Sequence, residues 1–154
     1  MTATMFDSIG ASILVVEDSD EDFDTLREAA SAAGVKLLIY RAASGGDCLA
    51  LLRAEVEVHP PLLPALILMD LNSHGMDGRD ALVAIKTDAI LKEIPLVVLT
   101  TSASPKDVAF CYHAGVNAYH VKPVSHEQYL LLLRSLLNYW LGSATLPPTL
   151  VKVD

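Results

Sequence analysis

The sequence predicts an α/β fold, a single parallel sheet of five strands with helices on both faces. Two stretches, Ala65–Met69 and Pro95–Thr100, are short continuous apolar runs, as expected of strands buried on both sides. Segments with apolar residues at helical spacing lie between the strands, joined by short links, so strand and helix alternate five times. Such alternation returns each strand parallel to the last, and right-handed crossovers lay helices on both faces. No repeat, linker or low-complexity stretch divides the 154 residues, which sets one domain, long enough to bury a core without staples.

Residues 1–10 read as a leader, 11–141 as the folded domain and 142–154 as a tail. Strand one is Ala11–Val16, ending in Glu17-Asp18. Ser19 or Asp20 caps a helix carrying Phe23, Leu26 and Ala30, and Gly34 is its stop. Strand two is Lys36–Arg41. Ser44, with Asp47 three residues on, resembles a capping box for a helix through Cys48, Leu49, Leu51, Leu52 and Val56, which His59-Pro60-Pro61 ends. Strand three is Ala65–Asp70, and Gly75 and Gly78 mark the loop that follows. A third helix, Gly78–Asp88, turns Ala81, Leu82 and Ile85 inward. Strand four is Pro95–Thr100. Ser104-Pro105-Lys106-Asp107 is a helix start with a cap, proline at N1 and an acid at N3, and Gly115 ends that helix. Strand five is Asn117–Val121, leading to Lys122-Pro123. Ser125 with Gln128 opens the last helix, which Gly142 and Pro147-Pro148 break.

Composition narrows the function. A net charge of −8 with no basic cluster argues against a nucleic-acid partner. No membrane is expected either: Leu62–Met69 is short and contains Pro64, and Tyr129–Leu141 contains Arg134 and Asn138. Met1–Ser8 has no basic region followed by an apolar stretch, so no secretory signal is read and a cytoplasmic protein is expected. Cys48 and Cys111 lie far apart on separate helices and read as small thiols, not as a disulfide pair or metal ligands. His59, His74, His113, His120 and His126 show no metal-ligand spacing.

The residues that carry chemistry stand at the C-terminal tips of the strands, where open parallel sheets bind ligands. Strand one offers Glu17 and Asp18, strand three Asp70, strand four Thr100 and strand five Lys122. In a parallel sheet these tips share one edge. Three acids there repel one another, and a hard, oxygen-preferring cation such as Mg²⁺ relieves the repulsion and can bind phosphoryl oxygens. Asp70 is then the nucleophile. Lys122 supplies a mobile positive charge for the phosphoryl oxygens, and Thr100 a hydrogen bond. Asp77 and Gly78 read as loop and helix-start structure.

Four motifs in this order, Ile-Leu-Val-Val-Glu17-Asp18, Leu-Met-Asp70-Leu-Asn-x-x-Gly-Met-Asp-Gly78, Val-Val-Leu-Thr100 and Val-Lys122-Pro123, resemble the response-regulator receiver domain, the CheY-like phosphoacceptor of two-component signalling. The likeness runs from about Ser12 to Leu137. It implies a flavodoxin-like, doubly wound, three-layer α/β/α fold with strand order 2-1-3-4-5 and five helices. It implies a phosphoryl group received on Asp70 from the phosphohistidine of a sensor kinase. Mg²⁺ would be held by Asp18, Asp70 and the backbone carbonyl of Asn72, with Glu17 assisting. A cis peptide would join Lys122 to Pro123. Phosphorylation would draw Thr100 inward and reorient Tyr119, altering the face built from helix four, strand five and helix five. Two departures stand out: His74 where the family often has proline, and Thr101 where many relatives carry alanine. Neither removes a required group.

The last helix carries more apolar residues than one inward stripe needs: Tyr129–Leu133, Leu136, Leu137 and Tyr139–Leu141. A homodimer through the helix four–strand five–helix five face is therefore expected. Together with the Leu-Thr-Thr-Ser at 99–102, this helix resembles the small single-domain receivers that pair with bacterial phytochrome kinases. The expected partners are a sensor histidine kinase, a histidine phosphotransfer protein and a second copy of the chain. An aspartyl-phosphate phosphohydrolase is the competing class, but it wants an acid two residues after the nucleophile, where this chain has Asn72. No output domain is read after the folded unit, so a signalling module that turns over only its own phosphoryl group is expected, not an enzyme.

Overall fold

The computed structural model describes residues 11–33, 37–58, 63–71 and 78–147. Five parallel strands form one sheet: β1 (Ala11–Val16), β2 (Leu37–Ala42), β3 (Leu66–Met69), β4 (Leu96–Thr100) and β5 (Ala118–Val121), in the order β2-β1-β3-β4-β5. Five α-helices alternate with them: α1 (Asp20–Ala32), α2 (Gly45–Val56), α3 (Gly78–Thr87), α4 (Pro105–Ala114) and α5 (His126–Leu137). This is the doubly wound, flavodoxin-like arrangement expected.

Alternation along the strands feeds a core on each face. Leu14, Val16, Ile67, Met69, Leu96 and Val98 face one way and meet Leu49 and Leu52 of α2, Leu82 and Ile85 of α3 and Cys111 of α4. Ile13, Val15, Leu66, Leu68, Val97 and Leu99 face the other way and meet Leu26 and Ala29 of α1 and Leu133 and Leu137 of α5. Every residue of β3 and β4 is buried, which is why both read as unbroken apolar runs. Both cysteines are buried and unpaired, and burial pushes the Cys48 thiol up to about 12, which leaves it inert at neutral pH.

Caps set most helix starts. Ser19, Ser44 and Ser125 are N-caps whose side chains accept from the backbone N–H of Asp22, Asp47 and Gln128. Ser104 holds the N-cap position of α4 but makes no such bond. Gly115 ends α4 in the left-handed region, φ 105°, where a side chain would be strained. The chain end differs from expectation at Gly142. The helix does not break there but widens into a π-helical turn, Asn138–Ser143, closed by the Ala144 N–H on the Tyr139 carbonyl at 2.8 Å. A glycine inside a helix costs only about 1 kcal/mol, so one wide turn carries the chain past it. The expected stops at Gly34 and His59-Pro60-Pro61 lie outside the described residues.

Most of the apolar surplus of the last helix is used within the molecule. Tyr129, Leu133, Leu136 and Leu137 are buried, while Leu130, Leu132, Trp140 and Leu141 pack partly buried against the same core. Leu131 and Tyr139 remain exposed.

Candidate functional site

Ladder bonds continue past the strand ends and align their tips. The Asp70 N–H donates to the Val16 carbonyl at 3.0 Å, which sets Asp70 beside Glu17. Glu17 is itself pinned: its N–H donates to the Ala42 carbonyl at 3.1 Å, and Arg41 Nε donates to its carbonyl at 2.9 Å. Thr100, fully buried, closes β4, and the Lys122 N–H donates to its carbonyl at 2.7 Å, carrying Lys122 to the same edge.

Glu17, Asp18 and Asp70 thus present ligand oxygens within 4.8 Å of one another. The buried Lys122 ammonium meets this group from β5: Nζ lies 2.7 Å from Glu17 Oε1, 2.8 Å from Asp22 Oδ2 and 3.2 Å from Asp70 Oδ2. The Tyr129 ring walls the ammonium, with its centroid 5.9 Å from Nζ. Burial pushes the Glu17 carboxyl up to about 7 against the opposing pull of Lys122, and the Asp70 charge adds to the rise. Burial also disfavours the Lys122 charge, but the hydrogen bonds it donates to Asp22 and Glu17 outweigh this and hold the ammonium firmly protonated. Three hard oxygen donors crowded at one edge suit a divalent ion of the Mg²⁺ or Mn²⁺ kind, which adds the positive charge that one lysine cannot.

Glu17, Asp18, Asp70, Thr100 and Lys122, picked from the sequence, therefore stand at one edge, while Asn72 lies outside the described residues. Thr100 Oγ1 accepts from the Ser102 N–H at 3.3 Å. The half-buried Tyr119 donates its hydroxyl to the Ser102 carbonyl at 2.8 Å, so ring and β4–α4 loop are joined. Asp22 was not singled out by sequence reading. Its signal was position: four residues after Asp18, on the first turn of a capped helix, it projects over the tip of β1. Gly78 has a role beyond opening α3. A Cβ there would lie 2.8 Å from Leu71 Cα and 2.9 Å from the Asp70 carbonyl oxygen, so only glycine lets α3 press on the acceptor's backbone.

A doubly wound sheet with acids and a lysine gathered at its C-terminal edge defines the CheY-like class. Residues 13–134 match the response regulator receiver domain, and the chain belongs to that family. It is 36% identical to the response regulator Rcp1 of Synechocystis sp. over 137 residues, 88% of this chain and 92% of that protein. The crystal structure of the phosphorylated cyanobacterial phytochrome response regulator RcpA superposes with a TM-score of 0.83 at 36% identity, covering 89% of this chain and 98% of that one. The Mn²⁺-bound form of Rcp1 gives a TM-score of 0.83 at 34% identity, covering 89% and 99%. The chain is thus a receiver-domain response regulator related to phytochrome response regulators, a class of signalling proteins.

Proposed function

We propose that Asp70 accepts a phosphoryl group from the phosphohistidine of a sensor histidine kinase and that the chain signals through the face of α4, β5 and α5. One observation carries the reading. The Asp70 carboxylate sits at the sheet edge, 3.2 Å from the Lys122 ammonium and grouped with Glu17 and Asp18. In the transfer, an Asp70 carboxylate oxygen attacks phosphorus, the P–N bond to the kinase imidazole breaks with its electron pair going to the ring nitrogen, and the ring, already protonated on its other nitrogen, leaves as neutral imidazole. Water later attacks the same phosphorus, releasing inorganic phosphate and restoring the carboxylate. Asp18, Asp70 and the Asn72 carbonyl, with Glu17 assisting, would hold Mg²⁺. Bound there, the ion supplies charge that offsets the phosphoryl oxygens. Lys122 gives these oxygens a second cation, and the Thr100 hydroxyl, two residues before Ser102, gives one of them a hydrogen bond.

Thr100 drawn toward the phosphoryl group shifts its contact with the Ser102 N–H, and Tyr119, bonded to the same Ser102, moves with it. The altered face would pair two copies of the chain, and Phe110, Tyr112 and Val121 stand exposed on α4 and β5 for that use. The likeness to cyanobacterial phytochrome response regulators supports a bacterial phytochrome as the kinase.

The test is phosphorylation by phosphoramidate with and without Mg²⁺, then transfer from phosphorylated candidate kinases. Wild-type protein is expected to label only with Mg²⁺, and Asp70→Asn not at all. Equal labelling of Asp70→Asn overturns the assignment.

A further inference from the structure

We infer that Asp22 is a positioning residue for Lys122: it anchors the ammonium at the acceptor while the ammonium's other carboxylate partners change. The inference deepens the phosphoacceptor reading and rests on it.

Three carboxylates share the Lys122 ammonium, and Asp22 differs from the other two. Glu17 and Asp70 belong to the group whose oxygens lie within 4.8 Å of one another, the group suited to a divalent ion. Asp22 does not belong to it, yet its contact of 2.8 Å is shorter than the 3.2 Å of Asp70. When an ion draws on the Glu17 and Asp70 oxygens, their hold on Lys122 weakens, and the hold of Asp22 does not. An ammonium has three protons. One kept on Asp22 fixes Nζ in place and leaves the others for phosphoryl oxygens. The Tyr129 ring on one side limits where else Nζ can go.

The local structure explains why Asp22 is available. Ser19 is the N-cap of α1 and accepts from the Asp22 N–H at 3.2 Å, which makes Asp22 the N3 residue. An acid at N3 ordinarily reaches back to the N-cap N–H and closes a capping box. Here the Ser19 N–H donates instead to Glu17 Oε2 at 3.3 Å. The Asp22 carboxylate, relieved of that task, turns across to β5 and takes Lys122. The cap that starts α1 therefore also aims a site residue.

Two measurements test this, one independent of phosphorylation. In the first, the ¹⁵N-edited spectrum of the lysine ammonium groups is recorded on the ion-loaded protein. A buried, anchored Lys122 gives a cross-peak protected from solvent exchange. Asp22→Ala is expected to broaden or remove it, and Asp22→Asn, whose amide oxygen can still accept, to keep it at least in part. An unchanged Lys122 signal in Asp22→Ala overturns the inference whatever Asp70 does.

The second is a double-mutant cycle on phosphorylation by phosphoramidate. Asp22→Ala should lower the maximal rate about tenfold, the loss of one charge-assisted hydrogen bond, without raising KM, since an anion has been removed from the donor's path. In a Lys122→Ala background the same substitution should have no further effect. An equal loss in both backgrounds means that Asp22 acts through the helix cap and not through the lysine, and the inference falls. Labelling that survives in Asp70→Asn would instead sink the phosphoacceptor reading and leave the first measurement standing.

Discussion

The Arg79 guanidinium donates to Asp107 Oδ1 at 2.8 Å and ties the first turn of α3 to the first turn of α4. The other Asp107 oxygen accepts the Ser102 hydroxyl at 2.6 Å. These bonds, from Ser102 first and then Arg79, hold the Asp107 carboxyl below the usual carboxylate range. Ser102 in turn meets Thr100 through its N–H and Tyr119 through its carbonyl. One carboxylate thus braces the loop whose Ser102 bonds to both expected switch residues, Thr100 at the end of β4 and Tyr119 on β5.

Asp107→Ala should loosen that loop. It removes two acceptor bonds that favour the present arrangement and leaves Asp70, Lys122 and the three-acid group in place. If phosphorylation shifts the loop between two arrangements, the barrier to the second falls and its population rises. Beryllofluoride, which mimics an acyl phosphate, is then expected to bind about two- to fivefold more tightly, with Mg²⁺ affinity unchanged. Titration of the variant by calorimetry decides it. Weaker beryllofluoride binding would mean that the brace serves the phosphorylated arrangement instead.

Gly78→Ala should cost stability and activity together. The added methyl meets backbone atoms of Asp70 and Leu71, not the end of a flexible side chain, so α3 or the acceptor strand has to shift. Overpacking of this kind costs about 1–3 kcal/mol. Urea unfolding should report that loss, and the displaced Asp70 should label more slowly even where the protein is fully folded. A variant as stable and as quickly labelled as wild type would show that the contact yields without strain.

The strands were legible because β3 and β4 are buried on both faces and their sequences are unbroken apolar runs. The caps Ser44 and Ser125 were legible because a serine followed by an acid or amide three residues later has a local meaning, whereas at the first helix Ser19 and Asp20 were equal candidates and the structure has Ser19 as the cap. Glu17, Asp18, Asp70, Thr100 and Lys122 were found as residues standing just at or beyond strand ends, a position that one parallel sheet converts into proximity. Asp22 and Arg79 were missed for the opposite reason. Each sits on a helix, where acids and arginines are ordinarily solvated, and each gains its partner only when a segment 100 or 28 residues away folds against it. Asp107 was read as a helix-start acid; its bonds to Arg79 and Ser102 depend on how α3 meets α4, which no local pattern records. The apolar richness of the last helix overstated its free surface, because the π-helical turn tucks Trp140 and Leu141 back against the core.

Pairing of two copies should depend on the exposed edge of the sheet. Val121 is exposed at the end of β5, the edge strand, so lysine there disturbs no core packing. Val121→Lys is expected to keep phosphorylation by phosphoramidate and to shift the protein to monomer size in sedimentation at micromolar concentration. A wild-type protein that sediments as a monomer, phosphorylated or not, removes the dimer.

Affinity for a divalent ion should carry the signature of Glu17. Its carboxyl titrates near 7 in the fold against an ordinary 4.5, chiefly through burial. Between these values the ion-free folded protein keeps a proton that the unfolded chain has released. Stability of the ion-free protein should therefore fall as pH rises through that window and level off above 7. An ion drawing on Glu17 has to displace the proton, so apparent Mg²⁺ affinity should drop below pH 7, by up to about tenfold per pH unit for one proton displaced. Calorimetry from pH 6 to 8 should also detect proton release on binding at the acid end. Glu17→Gln carries no such proton, so its Mg²⁺ affinity should lose this step. A wild-type affinity that stays flat from pH 6 to 7 would mean that Glu17 is already ionised there, and that the lysine beside it outweighs the burial.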